Sequence, residues 1–271
     1  MGKKERLDVL LVERGLADTR EKAKRSIMAG LVFSEHERLD KPGLKVDSDL
    51  PIRIKGDTLK YVSRGGLKLE KALEVFELEI KDKVGLDIGA STGGFTDCAL
   101  QNDAKSMYAV DVGYNQLAWK IRQDDRVTVM ERMNFRYATQ SDFTNERPQF
   151  ASIDVSFISL KLILPPLFDI LSDEGDVIAL IKPQFEAGRE HVGKKGIVRD
   201  PLVHKDVIET VLSTAHTIGF SSFGLAFSPI TGGDGNIEFL LHLKKRATVE
   251  KLDDEEVKRI VDASQALRKK E

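Results

Sequence analysis

A chain of 271 residues, 41% hydrophobic and 32% charged, can form one large or two modest folded units and has the balance of an ordinary soluble globular protein. Its net charge of −2 excludes a uniformly basic nucleic-acid coat, yet residues 1–60 carry 14 Lys and Arg against 11 Asp and Glu, so this stretch is +3 and the remainder −5. The single cysteine, Cys98, has no disulfide partner and fits a reducing cytoplasm. No secretory signal follows Met1–Arg6, and no apolar run approaches the ~18 residues of a membrane span.

Leu7, Leu10 and Leu11, set among Asp8 and Glu13, predict an amphipathic helix over Arg6–Arg14 that Gly15 ends. Asp18 or Thr19 can cap a second helix, Arg20–Ala29, with Gly30 just past its end. Leu31–Phe33, Leu44–Val46 and Leu50–Lys55 read as short strands, interrupted by Asp40-Lys41-Pro42-Gly43. On the second helix Arg20 and Lys24 share a face, with Lys22 and Arg25 nearby. Such a cluster is either a solvated face or a phosphate contact. The motifs Arg6-Leu7-Asp8-x-x-Leu11, Arg20-x-x-Ala23-x-x-x-Ile27-x-x-Gly30-x-Val32 and Lys41-Pro42 resemble the alpha-L RNA-binding module of small-subunit ribosomal protein four, over residues 5–55. That resemblance implies RNA contacts by Arg6, Arg20, Lys22, Lys24 and Arg25, dominated by phosphates and shape rather than base sequence. The expected boundaries are an RNA-binding domain at 1–57, a linker at 58–60, a second domain at 61–246, and a charged tail at 247–271 that is an exposed helix or partly disordered.

From Tyr61 onward, strand-like runs recur at Val84–Ile88, Met107–Asp111, Val127–Met130, Phe150–Val155, Val177–Ile181 and Ile237–Leu243. Helix-compatible stretches lie between most of them, at Leu67–Phe76, Phe95–Gln101, Leu162–Leu171 and Pro201–Ile218, and Cys98 falls inside one as a small core filler. This alternation predicts an α/β fold, a Rossmann-like doubly wound sheet beside the small N-terminal α+β domain. After the first run comes Asp87-Ile88-Gly89-Ala90-Ser91-Thr92-Gly93-Gly94-Phe95, a strand–glycine turn–helix sequence against which a nucleoside can lie. The G-x-x-x-G-G spacing departs from the dinucleotide pattern, and the Asp87 carboxylate would repel a pyrophosphate while tolerating a sulfonium and an ammonium. S-adenosylmethionine is therefore the expected cofactor, held by Asp87, Gly89, Ala90, Ser91, Thr92, Gly93, Gly94 and Phe95. Asp111 ends the next strand where ribose hydroxyls are met. The competing reading is a plain strand–helix corner with no ligand.

Polar segments punctuate the ends of these runs: Ser63-Arg64-Gly65-Gly66-Leu67-Lys68, Asp154-Val155-Ser156, Lys182-Pro183 and Gly235-Asn236-Ile237-Glu238. Lys182, at a strand end, either works in a site or pairs with Asp154. Together with Tyr61-Val62-Ser63-Arg64-Gly65-Gly66, Asp154-Val155-Ser156-Phe157, Lys182-Pro183-Gln184-Phe185-Glu186 and Ser228-Pro229-Ile230, the pattern resembles the FtsJ-like 2′-O-ribose methyltransferases. Joined to the alpha-L module, it resembles the TlyA (haemolysin A-like) family over about residues 5–245. The resemblance implies a lysine–aspartate–lysine–glutamate tetrad of Lys68, Asp154, Lys182 and Glu238, with ribosomal RNA or ribosomal subunits as partner and no metal or membrane. Arg64 joins the expected RNA contacts. The family has a proline in its last loop, whereas this chain has Thr231-Gly232-Gly233-Asp234-Gly235-Asn236, which loosens the approach to Glu238. For the proton of a ribose hydroxyl, Lys182 is the expected acceptor. A neighbouring cation such as Lys68 and desolvation lower a lysine pKa, while Asp154 and Glu238 oppose that drop. Asn134 and Arg136 are candidate contacts to RNA or adenosine, the basic loop Gly188–Asp200 is a candidate RNA flap, and Phe157 and Phe185 are expected in the core or lining the site. A noncatalytic RNA-binding or ribosome-assembly factor and a membrane-active haemolysin are the competing functions.

Overall fold

The computed structural model describes every residue except 1–3, 18, 29, 36, 56–59, 233–234 and 270–271. The chain divides into two units, Met1–Lys60 and Tyr61–Glu271, and the linker expected at 58–60 lies, apart from Lys60, outside the described residues.

The first unit follows the chain order β1 (Lys4–Arg6), α1 (Leu7–Glu13), α2 (Arg20–Met28), β2 (Val32–Ser34), β3 (Glu37–Arg38), β4 (Lys45–Asp47) and β5 (Arg53–Ile54). The apolar stripes of the two helices meet through Leu7, Leu10, Leu11, Ala23 and Ile27, closed from the strands by Val32 and Val46. Thr19 is the cap of α2, its Oγ1 accepting from the Lys22 N–H at 3.2 Å; Asp18, the alternative, and Ala29 lie outside the described residues. Strands β1 and β3 were not legible from periodicity, being two or three residues long and largely charged. They exist because partners are within reach: Glu5 opposite Val46 in β4, and Phe33 of β2 opposite Arg38.

In the second unit the elements are α3 (Gly66–Val75), β6 (Val84–Ile88), α4 (Gly94–Gln101), β7 (Ser106–Asp111), α5 (Trp119–Arg122), β8 (Val127–Glu131), β9 (Phe150–Ile153), α6 (Leu164–Ile170), β10 (Asp176–Ile181), α7 (Pro183–Glu186), α8 (Pro201–Ile218), β11 (Phe220–Phe227), β12 (Phe239–Lys245) and α9 (Asp254–Ser264). Seven strands form one sheet in the order β11-β12-β10-β9-β6-β7-β8. Neighbours from β10 to β8 are parallel, and β12 runs antiparallel between β10 and β11. Side chains alternate between two buried faces: Met107, Ala109, Ile178, Leu180 and Leu240 meet the cluster of α3, α4 and α5, while Tyr108, Val110, Val177, Ala179 and Leu241 meet that of α6, α8 and α9.

Three differences from the sequence-based expectation appear here, and two of them have a physical cause. β11 was missed because a register shift between Ser222 and Gly224 breaks its alternation. The last strand starts at Phe239 rather than Ile237. The charged tail carries α9, capped by Asp253 and buried through Val257 and Val261 against the α8 and β11 face. Its two valines, four apart, give the charged segment one apolar stripe.

Candidate active site

Strand order reverses between β6 and β9, and ligands of open α/β sheets bind outside the carboxyl ends of the strands at such a point. Gly89 leaves β6 with φ +86°, and a Cβ there would lie 2.5 Å from the Asp154 carbonyl oxygen, so no larger residue fits where the two strand ends converge. The turn hangs on β7: the Gly89 and Ala90 N–H groups both donate to the Val110 carbonyl, at 2.9 and 3.0 Å. Gly93, at φ +93°, caps α4. The Asp111 carboxylate accepts from the Ser91 N–H at 2.8 Å and the Gly113 N–H at 2.6 Å, which fixes it while leaving lone pairs for hydroxyl donors. Beside it lies a cavity of about 370 Å³ whose walls include Ile88, Val110, Met133, Phe135, Ile158 and Ile163. An apolar slot with one fixed carboxylate suits a flat base attached to a ribose. Asn134 lines it too, its side chain also accepting from the Arg136 N–H at 3.2 Å.

Asp87 is fully buried. Its carboxylate accepts from the Thr96 N–H at 3.0 Å, the Thr96 hydroxyl at 2.6 Å and the Ser152 hydroxyl at 3.4 Å. Burial pushes this carboxyl up to about 7, against the opposing pull of the Thr96 hydrogen bonds. The side chain thus secures the first turn of α4, and the backbone that follows it forms cavity wall. Ala90, Ser91, Thr92, Gly94 and Phe95 line a second cavity of about 390 Å³ that shares Gly89, Ser91, Asp154 and Ser156 with the first. Gly93 belongs to neither lining and packs toward Leu117.

The second cavity gathers the four tetrad side chains from remote parts of the chain. Lys68 comes from the first turn of α3, Asp154 from the end of β9, Lys182 from the end of β10 and Glu238 from the start of β12. The charges alternate: Lys182 pairs with Asp154 Oδ1, Lys68 Nζ lies 3.4 Å from Asp154 Oδ2, and Lys68 Nζ lies 2.6 Å from Glu238 Oε2. Lys182 also donates to the Ser156 hydroxyl at 3.1 Å. Burial works to lower the Lys68 pKa, but Asp154 and Glu238 together outweigh it and the ammonium is held raised above its ordinary value. The pairing of Lys182 with Asp154 therefore exists, inside a concave site rather than on a surface. Arg64 is exposed on the rim of the same cavity.

The loops after β9 and β10 are laced together beyond the lysine. Glu186 accepts from the Ser159 hydroxyl at 2.6 Å and the Leu160 N–H at 2.7 Å. Phe157 and Phe185 rings lie 5.0 Å apart. Phe157 is 89% exposed with φ +64°, a strained setting for a bulky residue. Of the two positions expected, core or site lining, the structure takes the second: the ring stands in solvent at the mouth of the slot beside Asp111. Neither this backbone angle nor the Ser156 and Glu186 bonds have a signature in the sequence.

In the first unit, the buried Asp8 carboxylate receives Arg6 through Nε at 2.9 Å and Nη2 at 3.1 Å, and Arg20 through Nε at 2.8 Å. The Arg6 hydrogen bond first, then Arg20, hold Asp8 down at about 2 against its burial. Two arginines from different elements are thus fixed side by side and still half exposed. Arg25 is exposed, and Lys22 and Lys24 are partly so. Arg136 is also exposed, 5.5 Å over the Tyr137 ring. In the Gly188–Asp200 loop, Arg189, His191, Lys194, Lys195 and Arg199 are exposed, while Ile197 and Val198 are buried beneath them.

Residues 61–245 match the FtsJ-like methyltransferase family and residues 5–52 match the S4 domain. The Bacillus subtilis protein YqxC is 67% identical over 263 residues, covering 96% of this chain and 94% of that one. The Mycobacterium tuberculosis 16S/23S rRNA (cytidine-2′-O)-methyltransferase TlyA is 40% identical over 245 residues, 90% of this chain and 91% of its own. A solved structure from Streptococcus thermophilus, named as a hemolysin, superposes with a TM-score of 0.79 at 58% identity and covers 100% of this chain and 98% of its own.

Proposed function

Because the chain belongs to the FtsJ-like methyltransferase family, and to the TlyA relatives that share both of its parts, we propose that it transfers a methyl group from S-adenosylmethionine to a ribose 2′-hydroxyl of ribosomal RNA. The observation that carries this reading is the gathering of Lys68, Asp154, Lys182 and Glu238 around one cavity that adjoins the slot beside Asp111. The residues fit the cofactor: an apolar slot for adenine, Asp111 for the ribose hydroxyls, and the backbone of Gly89–Thr92 and Gly94 for the amino-acid end. When bound, S-adenosylmethionine supplies a methyl group activated by its sulfonium.

The protein's own share is to place the ribose hydroxyl and accept its proton. Lys182 takes that proton as the neutral amine, its own ammonium proton having first passed to solvent, and its contacts with Ser156 and Asp154 aim the nitrogen into the cavity. Lys68 stays a cation, because its two carboxylates outweigh burial. It therefore holds Asp154 between two amines, and Asp154 shares its single charge rather than giving it all to Lys182. Glu238 fixes Lys68 from the other side. Much of the acceleration is positional, an effect that reaches roughly 7–11 kcal/mol in favourable cases. The S4 domain supports binding of folded RNA, with Arg6, Arg20, Lys22, Lys24 and Arg25 on phosphates, and Arg64 meeting the strand that enters the cavity.

The test is transfer of label from methyl-labelled S-adenosylmethionine into isolated ribosomal subunits, followed by mapping of methylated riboses. Absence of label in the RNA of either subunit would refute the reading. Lys182→Ala should lower transfer by about 10²–10⁴-fold, the usual span of a lost general base, while cofactor affinity measured by calorimetry changes little. A variant that keeps wild-type turnover removes Lys182 as the acceptor.

A further inference from the structure

The glycine-rich stretch before Glu238 is anchored by a buried amide. Asn236 is 3% exposed. Its Oδ1 accepts from the Val198 N–H at 3.1 Å, and its Nδ2 donates to the Gly196 carbonyl at 2.9 Å. Its own carbonyl accepts from the Gly232 N–H at 2.8 Å. Gly232 in turn backs Glu238 directly, since a Cβ there would lie 2.2 Å from Glu238 Oε1. On the far side, His204 Nε2 donates to the Val198 carbonyl at 3.1 Å. Val198 is buried and Gly196 exposed in the same basic loop, where Gly196 directly follows the exposed Lys194 and Lys195.

An asparagine is suited to this place because its short side chain offers one acceptor and two donors, matching a peptide N–H and C=O as a neighbouring strand would. A glycine-rich segment has broad backbone freedom, so an outside anchor is needed if the carboxylate two residues on is to hold one pose against Lys68. We infer that Asn236 is a positioning residue for methyl transfer: it fixes Glu238 by way of Gly232, and it ties that carboxylate to the basic loop, so that the loop's grip on RNA phosphates is felt at the tetrad. The inference rests on the methyltransferase reading above. It assigns to Asn236 the stiffening that the TlyA resemblance leads one to expect from a proline.

The experiment uses the full chain with ribosomal subunits as substrate and measures single-turnover methyl transfer at saturating RNA, separately from RNA and cofactor affinity. Asn236→Asp keeps the shape and loses the donor to Gly196. It should slow transfer at saturation at least tenfold in the folded variant, with cofactor affinity close to wild type, while the melting temperature falls because a carboxyl oxygen faces the Gly196 carbonyl. Lys194→Ala with Lys195→Ala should weaken RNA binding and also slow the saturated rate, and the triple variant should be no slower than Asn236→Asp alone, because both changes act on one linkage. If Asn236→Asp fails to fold, Asn236→Ser, which leaves room for a bridging water, carries the same rate expectation. A wild-type rate in a folded Asn236 variant, a loss of RNA affinity alone, or fully multiplicative rate losses in the triple variant would each overturn the inference. A wild-type protein that labels no ribosomal RNA would instead overturn the methyltransferase reading itself.

Discussion

Asp87, next to last in β6, has its carboxyl turned into the first turn of α4 and away from solvent. Its folded pKa of about 7 stands above the ordinary 3.8, so the folded state binds a proton more tightly than the unfolded one. The resulting stability is fully present below about pH 4 and is lost as pH rises through about 7. Asp87→Asn keeps an acceptor for Thr96 and offers an amide to Ser152, and it cannot titrate. Melting temperatures of wild type and variant, measured across pH 4 to 8, should therefore show a wild-type advantage that shrinks with rising pH and levels off above about 7. A constant difference would mean that Asp87 is ionised throughout. Residues such as Asp111, Asp154 and Lys182 were legible because a polar group closing a buried apolar run has few structural uses. That Phe157 lines the slot rather than the core could not be read from its type, because the left-handed backbone that turns its ring outward is set by the loop.

At the level of elements, legibility tracked the solvent a strand sees. The five parallel strands are short apolar runs, four of them largely buried on both faces and β8 half-buried at the sheet edge, and they stood out. β11 is as well buried, but its bulge disrupts the alternation. α9 was hidden by its own charge, since most of its residues face water and two valines do the packing. Those valines make the difference between a tail and a part of the core. Val257→Ala and Val261→Ala should each cost about 2 kcal/mol, two buried carbons plus the space they leave, read as a shift of the denaturation midpoint at constant slope. A shift near zero for both would mean that α9 contributes no stability to the second unit.

For the whole molecule, a net charge of −2 hides a basic first unit whose arginines are aligned by Asp8. Affinity for ribosomal RNA should fall linearly on a plot of log affinity against log salt, and Arg20→Ala should flatten that slope by about 0.7–0.9, one phosphate contact. An unchanged slope would remove Arg20 from the interface. Among the described residues no helix is long and apolar enough to cross a membrane, so a lytic activity would need another physical route. The reversal of β12 has a consequence of its own. Running against its neighbours, it begins where the others finish, and the pairing of Phe239 with Ile181 delivers Glu238 beside Lys182. Four residues later on the same side, His242 reaches Asp176 at the opposite edge, 3.0 Å away. A slip of one residue would swing both groups to the wrong layer at once. Correct threading of a single strand thus sets two ion pairs at once, His242 with Asp176 at one border and Glu238 with Lys68 at the other, and a misthreaded strand forfeits both.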